Sequence, residues 1–184
     1  MLTVKVMVKD VNTFSAYPHL LHCIVKERFP FAVTNVIVTA IGGENSEQGK
    51  KRFREEVLTH KPDILTIDYG LNDRAIGLES AYHAWECMIN DALTEKIKVV
   101  LCTPTWDNSY YKKNEHWEQL VKHTEQIRSL ADKYNVGLAD SFEAYNRNIL
   151  IESDLSKYLS HTNHPTKAGH QLVADEIAKY FIAR

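Results

Sequence analysis

Asn72 has a side chain whose chemistry fits acyl transfer. It lies in the segment Y-G-L-N-D (residues 69–73), which follows a strongly apolar run and combines a glycine, an amide and a carboxylate. An amide N–H held at a strand end can stabilise the oxyanion of a tetrahedral intermediate, an interaction of ~3 kcal/mol in measured enzymes. Gly70 and Asp73 would then bind substrate. The alternative is a plain turn, because Gly, Asn and Asp are common turn formers.

A pair of glycines could supply a second oxyanion donor. The segment I-G-G-E-N-S (residues 41–46) follows another apolar run, and glycine permits both positive φ and a close approach of a backbone N–H to a ligand. The N–H of Gly43 is the candidate donor. The same residues also fit a turn into a helix with Asn45 or Ser46 as its N-cap, and both interpretations can hold together.

Three histidines near the C-terminus include a candidate general base. His164 precedes Pro165, which stiffens the turn, and a neutral imidazole in a rigid loop before a helix can accept a proton near neutral pH. His170 lies in the first turn of that helix, where capping or packing is favoured. The same two histidines could bind a metal together with His161, but no carboxylate or cysteine completes an evident set, so we predict no metal.

Aromatic side chains are concentrated after the fourth apolar run. Trp106, Tyr110 and Tyr111 could line a substrate pocket or form a carbohydrate platform. They could equally pack beneath a surface loop. We place Trp106 and Tyr110 among the substrate-binding candidates.

These segments follow predicted strands. Short apolar runs rich in β-branched residues predict strands at residues 2–8, 32–41, 63–69, 97–102 and 136–139. Helical spacing predicts helices at residues 17–29, 46–59, 78–93, 114–134 and 166–183. Strands that alternate with helices form a parallel sheet covered on both faces, and such sheets bind ligands beyond the carboxyl ends of their strands. We therefore predict one α/β domain over residues 1–184 with its site at that edge.

Three of these segments, in this order, resemble conserved blocks of the SGNH, or GDSL-type, hydrolases. They are I-G-G-E-N-S-E-Q-G (residues 41–49), Y-G-L-N-D (residues 69–73) and H-P-T-K-A-G-H (residues 164–170). The resemblance implies a flavodoxin-like three-layer α/β/α fold with about five parallel strands. It also implies hydrolysis of carboxylic (acyl or acetyl) esters without a cofactor, with Gly43 and Asn72 as the oxyanion hole and His164 as the base.

The nucleophile block of that family departs from its pattern here. A Gly-Asp-Ser is expected at the end of the first strand, where this chain has Lys9-Asp10-Val11. A valine cannot form an acyl-enzyme. One alternative is that Met1 follows a lost block, and another is that Thr13 or Ser15 substitutes as the nucleophile. For Ser15, however, capping of the helix that begins near residue 17 is the more natural role.

The last block departs as well, since the family places an aspartate three residues before the base and this chain has His161. A backbone carbonyl could orient the His164 ring instead, and Asp154 is a second candidate. The leading interpretation is an SGNH-type ester hydrolase. The rival is a catalytically inactive binding protein on the same fold, and a metal-dependent hydrolase that uses the three histidines is less favoured.

Composition bears on partners. The 184 residues carry 22 Lys and Arg against 24 Asp and Glu, which gives a net charge of −2 and a pI near 6.5. This balance of charge does not predict nucleic-acid binding, which depends on clustered Lys and Arg. No apolar stretch reaches the ~20 residues of a membrane span, and the N-terminus lacks the pattern of a secretory signal. We predict a cytoplasmic protein whose partner is a small-molecule ester, with an acylated carbohydrate as one candidate.

Overall fold

Three parallel strands form the sheet of the computed structural model, which describes residues 12–152 and 154–181. The strands are β1 Ile64–Ile67, β2 Lys98–Cys102 and β3 Gly137–Ala139, and they pair in the order β1-β2-β3. Ile64 is opposite Lys98, and Val100 is opposite Gly137. Each strand leads into a loop at the same edge of the sheet, so the polar segments after the strands lie together there.

In the described residues, six α-helices accompany the sheet: α1 Tyr17–Arg28, α2 Ser46–Arg52, α3 Gly77–Thr94, α4 Glu115–Tyr134, α5 Ser141–Glu152 and α6 Lys167–Ala178. Their starts follow local side-chain chemistry. Asn45 caps α2 through a capping box with Gln48, which confirms the predicted cap. Asn114 and Thr166 accept backbone N–H bonds at the starts of α4 and α6. Asn135 ends α4 in the left-handed conformation, at φ 49°.

Successive residues of β2 face opposite cores. Val99 and Leu101 pack with side chains of α3 and α4, whereas Val100 and Cys102 pack with side chains of α1 and α6. A strand buried on both faces needs apolar residues at every position, which explains the unbroken apolar run. The arrangement confirms the predicted three-layer α/β/α fold.

The predicted number of strands, about five, was wrong for the described residues, which contain three. Residues 32–41 lack strand pairing there, and several of their β-branched side chains are exposed, including Val33 at 92% and Ile37 at 56%. β-branched composition favours an extended backbone, but a strand also needs a hydrogen-bonded neighbour. The predicted strand at residues 2–8 and the positions of Lys9, Asp10 and Val11 lie outside the described residues.

Helix boundaries also differ from prediction. The predicted helix at 46–59 divides into α2, a π-helical turn at Phe53–Val57 and a 3₁₀ turn at Leu58–His60. Helix α5 was not predicted, although Asp140 accepts the N–H of Glu143 at 3.1 Å as an N-cap would. None of the helices in residues 12–152 and 154–181 is long and apolar enough to cross a membrane.

The turn after β1 allows a test of packing at the carboxyl ends of the strands. A Cβ on Gly70 would lie 2.8 Å from Cδ1 of Ile127 and 2.9 Å from Cδ of Pro104, and the proline ring has little room to move. We expect Gly70→Ala to lower the free energy of unfolding by about 1–3 kcal/mol, measured by urea denaturation. Gly42→Ala is the matched control, because no atom in the part of the chain that the structure describes lies within 4 Å of its Cβ position. Equal stability of the two variants would contradict the close packing.

Candidate active site

The carboxylate of Asp73 joins the glycine segment to the end of β1. Its Oδ1 accepts the backbone N–H of Ser46 at 2.7 Å, and its Oδ2 accepts the indole N–H of Trp85 at 2.6 Å. Burial raises the pKa of Asp73, although the hydrogen bonds from Ser46 and Trp85 act in the opposite direction. With no exposed surface, this predicted substrate-binding residue offers no oxygen to a ligand.

Asn72 and Gly43, the predicted oxyanion donors, lie at this junction. The Nδ2 of Asn72 donates to the carbonyl of Glu44 at 2.9 Å, and an amide group has a second N–H to offer. Gly43 has φ 81°, in the left-handed region that favours glycine, and no atom of the described residues lies within 4 Å of where its Cβ would be. The structure therefore brings these two predicted residues to neighbouring positions.

The turn that contains Gly43 is held from its other side by an ion pair. The guanidinium of Arg52 bonds both carboxylate oxygens of Glu44, at 2.8 and 2.6 Å, and both side chains are largely buried. This bidentate contact lowers the pKa of Glu44. The Glu44 carbonyl, which accepts the N–H of Asn72, therefore belongs to a residue that this ion pair holds in place.

A second ion pair joins the segment after β1 to the loop after β2. Nη2 of Arg74 lies 2.8 Å from Oδ2 of Asp107, with Asp107 buried and Arg74 largely buried. Arg74 also donates from Nε to the carbonyl of Leu71 at 3.1 Å. The next residue in the loop, Asn108, donates its backbone N–H to the carbonyl of Thr162 at 2.8 Å, two residues before His164. Hydrogen bonds and ion pairs therefore run continuously from the Asn72 segment to the His164 loop.

The predicted base, His164, is exposed in the loop before α6. Its carbonyl accepts the N–H of Ser160 at 2.8 Å and the Ser160 hydroxyl at 3.0 Å, so the backbone is held while the ring remains accessible. His161 lies next to Thr162, with 3.1 Å between Nδ1 and Oγ1. Asp154, the other candidate orienter, accepts the N–H and hydroxyl of Ser156.

Ser15 lies just before α1, in the 3₁₀ turn Thr13–Ser15. Its predicted role as the cap of α1 was wrong, because Ala16 occupies the N-cap and makes no side-chain bond. Pro18, in the first turn, has no N–H to satisfy, which reduces the need for a cap. Tyr17 lies 6.2 Å from His170 between ring centroids, so the start of α1 is beside the start of α6. This contact agrees with the predicted packing role of His170.

The aromatic candidates differ in exposure. Trp106 is buried, Tyr110 is half-buried and Tyr111 is exposed. Trp106 and Tyr110 are 4.4 Å apart between ring centroids, and both contact Trp117, which the sequence analysis did not single out. Gly70, the last substrate-binding candidate, is buried against Pro104 and Ile127.

The Arg74–Asp107 pair was also missed, because nothing in sequence spacing links residues more than thirty positions apart. Removing one partner of a buried pair leaves an uncompensated charge. We expect Asp107→Asn to lower the free energy of unfolding by about 3 kcal/mol or more, measured by urea denaturation. Glu47→Gln, which removes the partly exposed pair with Lys50, should cost less than about 1 kcal/mol. Similar losses in both variants would contradict a structural role for the buried pair.

His123, on α4, should make stability depend on pH. Burial lowers its pKa to about 4, and the charge of Arg74 acts in the same direction. In an unfolded chain, the pKa of a histidine is ~6.5. As the pH falls from about 6.5 towards 4, the unfolded chain therefore binds more protons and the contribution of neutral His123 to stability is lost.

Between about pH 7.5 and 4.5, His123→Gln should lose about 2 kcal/mol less unfolding free energy than the unsubstituted protein. Urea denaturation at the two pH values measures this difference. His83, exposed on α3, provides the matched control variant His83→Gln, which should lose as much as the unsubstituted protein. The same loss in all three proteins would show that His123 is not held neutral.

Comparisons with solved structures show the same fold. The crystal structure of an acetylxylan esterase from Geobacillus stearothermophilus has a TM-score of 0.80 at 17% identity, covering 92% of this chain and 82% of that chain. An α/β hydrolase from the metagenome of Lake Arreo, Spain, has a TM-score of 0.74 at 19% identity, covering 91% and 81%. Solved catalytic mutants of the Geobacillus esterase replace a serine, a histidine and an aspartate with alanine.

A comparison of the sequence with curated proteins found no match. The family model of the GDSL-like lipase/acylhydrolase family, by contrast, matches residues 4–172, which is most of the chain. That range includes the Gly43 turn, the Asn72 segment and the His164 loop. The chain therefore belongs to the GDSL-like lipase/acylhydrolase family.

Proposed function

We propose that this protein hydrolyses carboxylic esters of the acyl or acetyl type, with His164 as the general base and Asn72 and Gly43 as the oxyanion donors. The observation that carries the proposal is the 2.9 Å hydrogen bond from the Asn72 amide to the Glu44 carbonyl. This bond holds the Asn72 amide at Glu44, the residue next to Gly43, at the edge of the sheet where such folds bind ligands.

In the proposed reaction, the His164 imidazole takes the proton of a nucleophilic hydroxyl as its oxygen attacks the ester carbonyl. The carbonyl oxygen becomes an oxyanion that accepts hydrogen bonds from the Asn72 amide and the Gly43 N–H. The tetrahedral intermediate expels the alcohol, which receives the proton from His164. Water then attacks the acyl-enzyme by the same route and releases the acid.

Thr13 and Ser15 are the candidate nucleophiles within the described residues. Ser15 is the nearer of the two to α1, whose first residue, Tyr17, lies beside His170 near the start of α6. His164 lies three residues before that helix begins, so the Ser15 hydroxyl and the base belong to adjoining parts of the structure. We therefore assign the attacking oxygen to Ser15.

The proposed substrate is a small-molecule ester, and an acetylated carbohydrate is one candidate. Family membership supports the reaction class. The name of the Geobacillus relative, an acetylxylan esterase, supports the choice of an acetyl group on a sugar. The exposed ring of Tyr111 offers apolar surface for a sugar in the loop after β2.

A second candidate function is ligand binding without catalysis. Two features of the sequence favour it. His161 stands where the family has its triad acid, and Val11 stands where the family has its serine if residues 2–8 form the first strand. A protein of this kind would keep the Asn72 and Gly43 donors as a binding site for a carbonyl or carboxylate group.

Turnover of p-nitrophenyl acetate tests the proposal. We expect His164→Ala and Ser15→Ala to lower kcat/KM by about 100-fold or more, since each removes a reacting group. Asn72→Ala should lower kcat by about 100-fold, because its donor acts on charge that develops in the transition state. His83→Ala, which removes an exposed histidine of α3, is the control and should retain full activity.

Labelling with a fluorophosphonate separates the two candidate functions. An active enzyme should form a covalent adduct at Ser15 that is lost in Ser15→Ala, as peptide mass spectrometry would show. If the purified protein neither turns over the ester nor accepts the label, the hydrolase proposal fails and the binding function is favoured. An adduct at another residue would overturn the assignment of Ser15 alone.

A further inference from the structure

Trp106, Tyr110 and Trp117 form an aromatic corner that surrounds a positive charge. The Nζ of Lys113 lies 3.7 Å from the ring centroid of Tyr110, 4.2 Å from that of Trp117 and 5.6 Å from that of Trp106. An ammonium within about 6 Å of an aromatic face is attracted by the ring quadrupole. Three rings therefore act on one ammonium.

The lysine does not hold this position through an ion pair. Among the described residues, no carboxylate forms a salt bridge with Lys113, and loss of surrounding water lowers the pKa of its ammonium. Its backbone has φ 46°, in the left-handed region that side chains other than glycine rarely adopt. The three rings are therefore the groups that face the ammonium among the described residues, and they do so without a counter-charge.

The polar edge of one ring is also left without a partner. The indole Nε1 of Trp106 is buried and makes no hydrogen bond within the described residues. Burying an indole N–H in this way costs free energy, which the burial of the large ring offsets. The ring of Trp106 contacts those of Tyr110 and Trp117.

The angles between the rings distinguish the ligands that would fit. The planes of Tyr110 and Trp117 meet at 64°, and those of Trp106 and Trp117 meet at 84°. Trp106 and Tyr110 are inclined by only 32°, so they form one side of the corner and Trp117 forms the other. A sugar ring stacks on one flat exposed face, whereas a compact cation gains from several faces directed at one point. The corner geometry therefore favours a rounded cation such as a trimethylammonium group.

The aromatic corner adjoins the candidate active site. It belongs to the loop in which Asp107 pairs with Arg74 and Asn108 bonds to the carbonyl of Thr162, two residues before His164. We propose that Trp106, Tyr110 and Trp117 bind the methylated ammonium group of a ligand, in the place that Lys113 occupies by folding back. That this ligand is an ester substrate rests on the proposed function, whereas binding of the cation does not.

Because the lysine is tethered, it competes at a high effective concentration with any dissolved cation. Its removal should expose the site. In calorimetric titrations with choline, Lys113→Ala should bind at least about tenfold more tightly than the unsubstituted protein. Lys112→Ala is the matched control, since this neighbouring lysine lies over no ring among the described residues and its loss should leave the affinity unchanged.

Two further comparisons make the result specific to a cation on these rings. The carbon analogue of choline, in which a quaternary carbon replaces the nitrogen, should bind Lys113→Ala at least about tenfold more weakly than choline. Adding Tyr110→Leu to Lys113→Ala should abolish the gain in choline affinity, with thermal unfolding used to confirm that the double variant is folded.

The proposal is overturned if Lys113→Ala binds choline no more tightly than the unsubstituted protein, or if the neutral analogue binds equally well. It is also overturned if xylo-oligosaccharides, but not choline, bind in a Tyr110-dependent manner, because the rings would then serve a sugar. These measurements involve no turnover. An inactive protein that binds choline as expected would refute the proposed hydrolase and leave the cation site standing.

Discussion

The hydrogen bonds of the buried Asp73 carboxylate hold together the edge of the sheet that carries the candidate active site. Its two oxygens are shared between the backbone of Ser46, at the start of α2, and the indole of Trp85, on α3. A carboxylate without exposed surface is stable only when such donors replace its lost water, and its raised pKa reflects that cost. The geometry of the Asn72 and Gly43 donors follows from this one residue, because it fixes the two segments that carry them.

The rest of the edge extends from this point through contacts of the same kind. Arg74, adjacent to Asp73, forms an ion pair with Asp107, and the backbone of Asn108 forms a hydrogen bond with the His164 loop. Each contact is buried or joins backbone to backbone, so it leaves little freedom for one loop to move without the others. The aromatic corner and its lysine belong to the same connected set, since the loop after β2 contains three of its four residues.

The sequence predicted what depends on local pattern. Apolar spacing predicted β1, β2, β3 and five of the six described helices, and the cap expected at Asn45 or Ser46 was confirmed at Asn45, because each reflects chemistry within a few residues. The sequence could not predict whether residues 32–41 would find a hydrogen-bonded neighbour, since strand pairing is a long-range property. For the same reason it identified Asp73 by type but missed its bond to Trp85, and it missed the Arg74–Asp107 pair entirely.

Family and activity rest on different parts of this molecule. The contacts that define the edge involve Asp73, Arg74 and the backbone of the histidine loop, and none of them uses the ring of His164 or a nucleophilic oxygen. These contacts do not use the side chain of His161 either, so the fold and the positions of the candidate donors do not depend on that side chain. Activity therefore has to be established at the reacting atoms themselves.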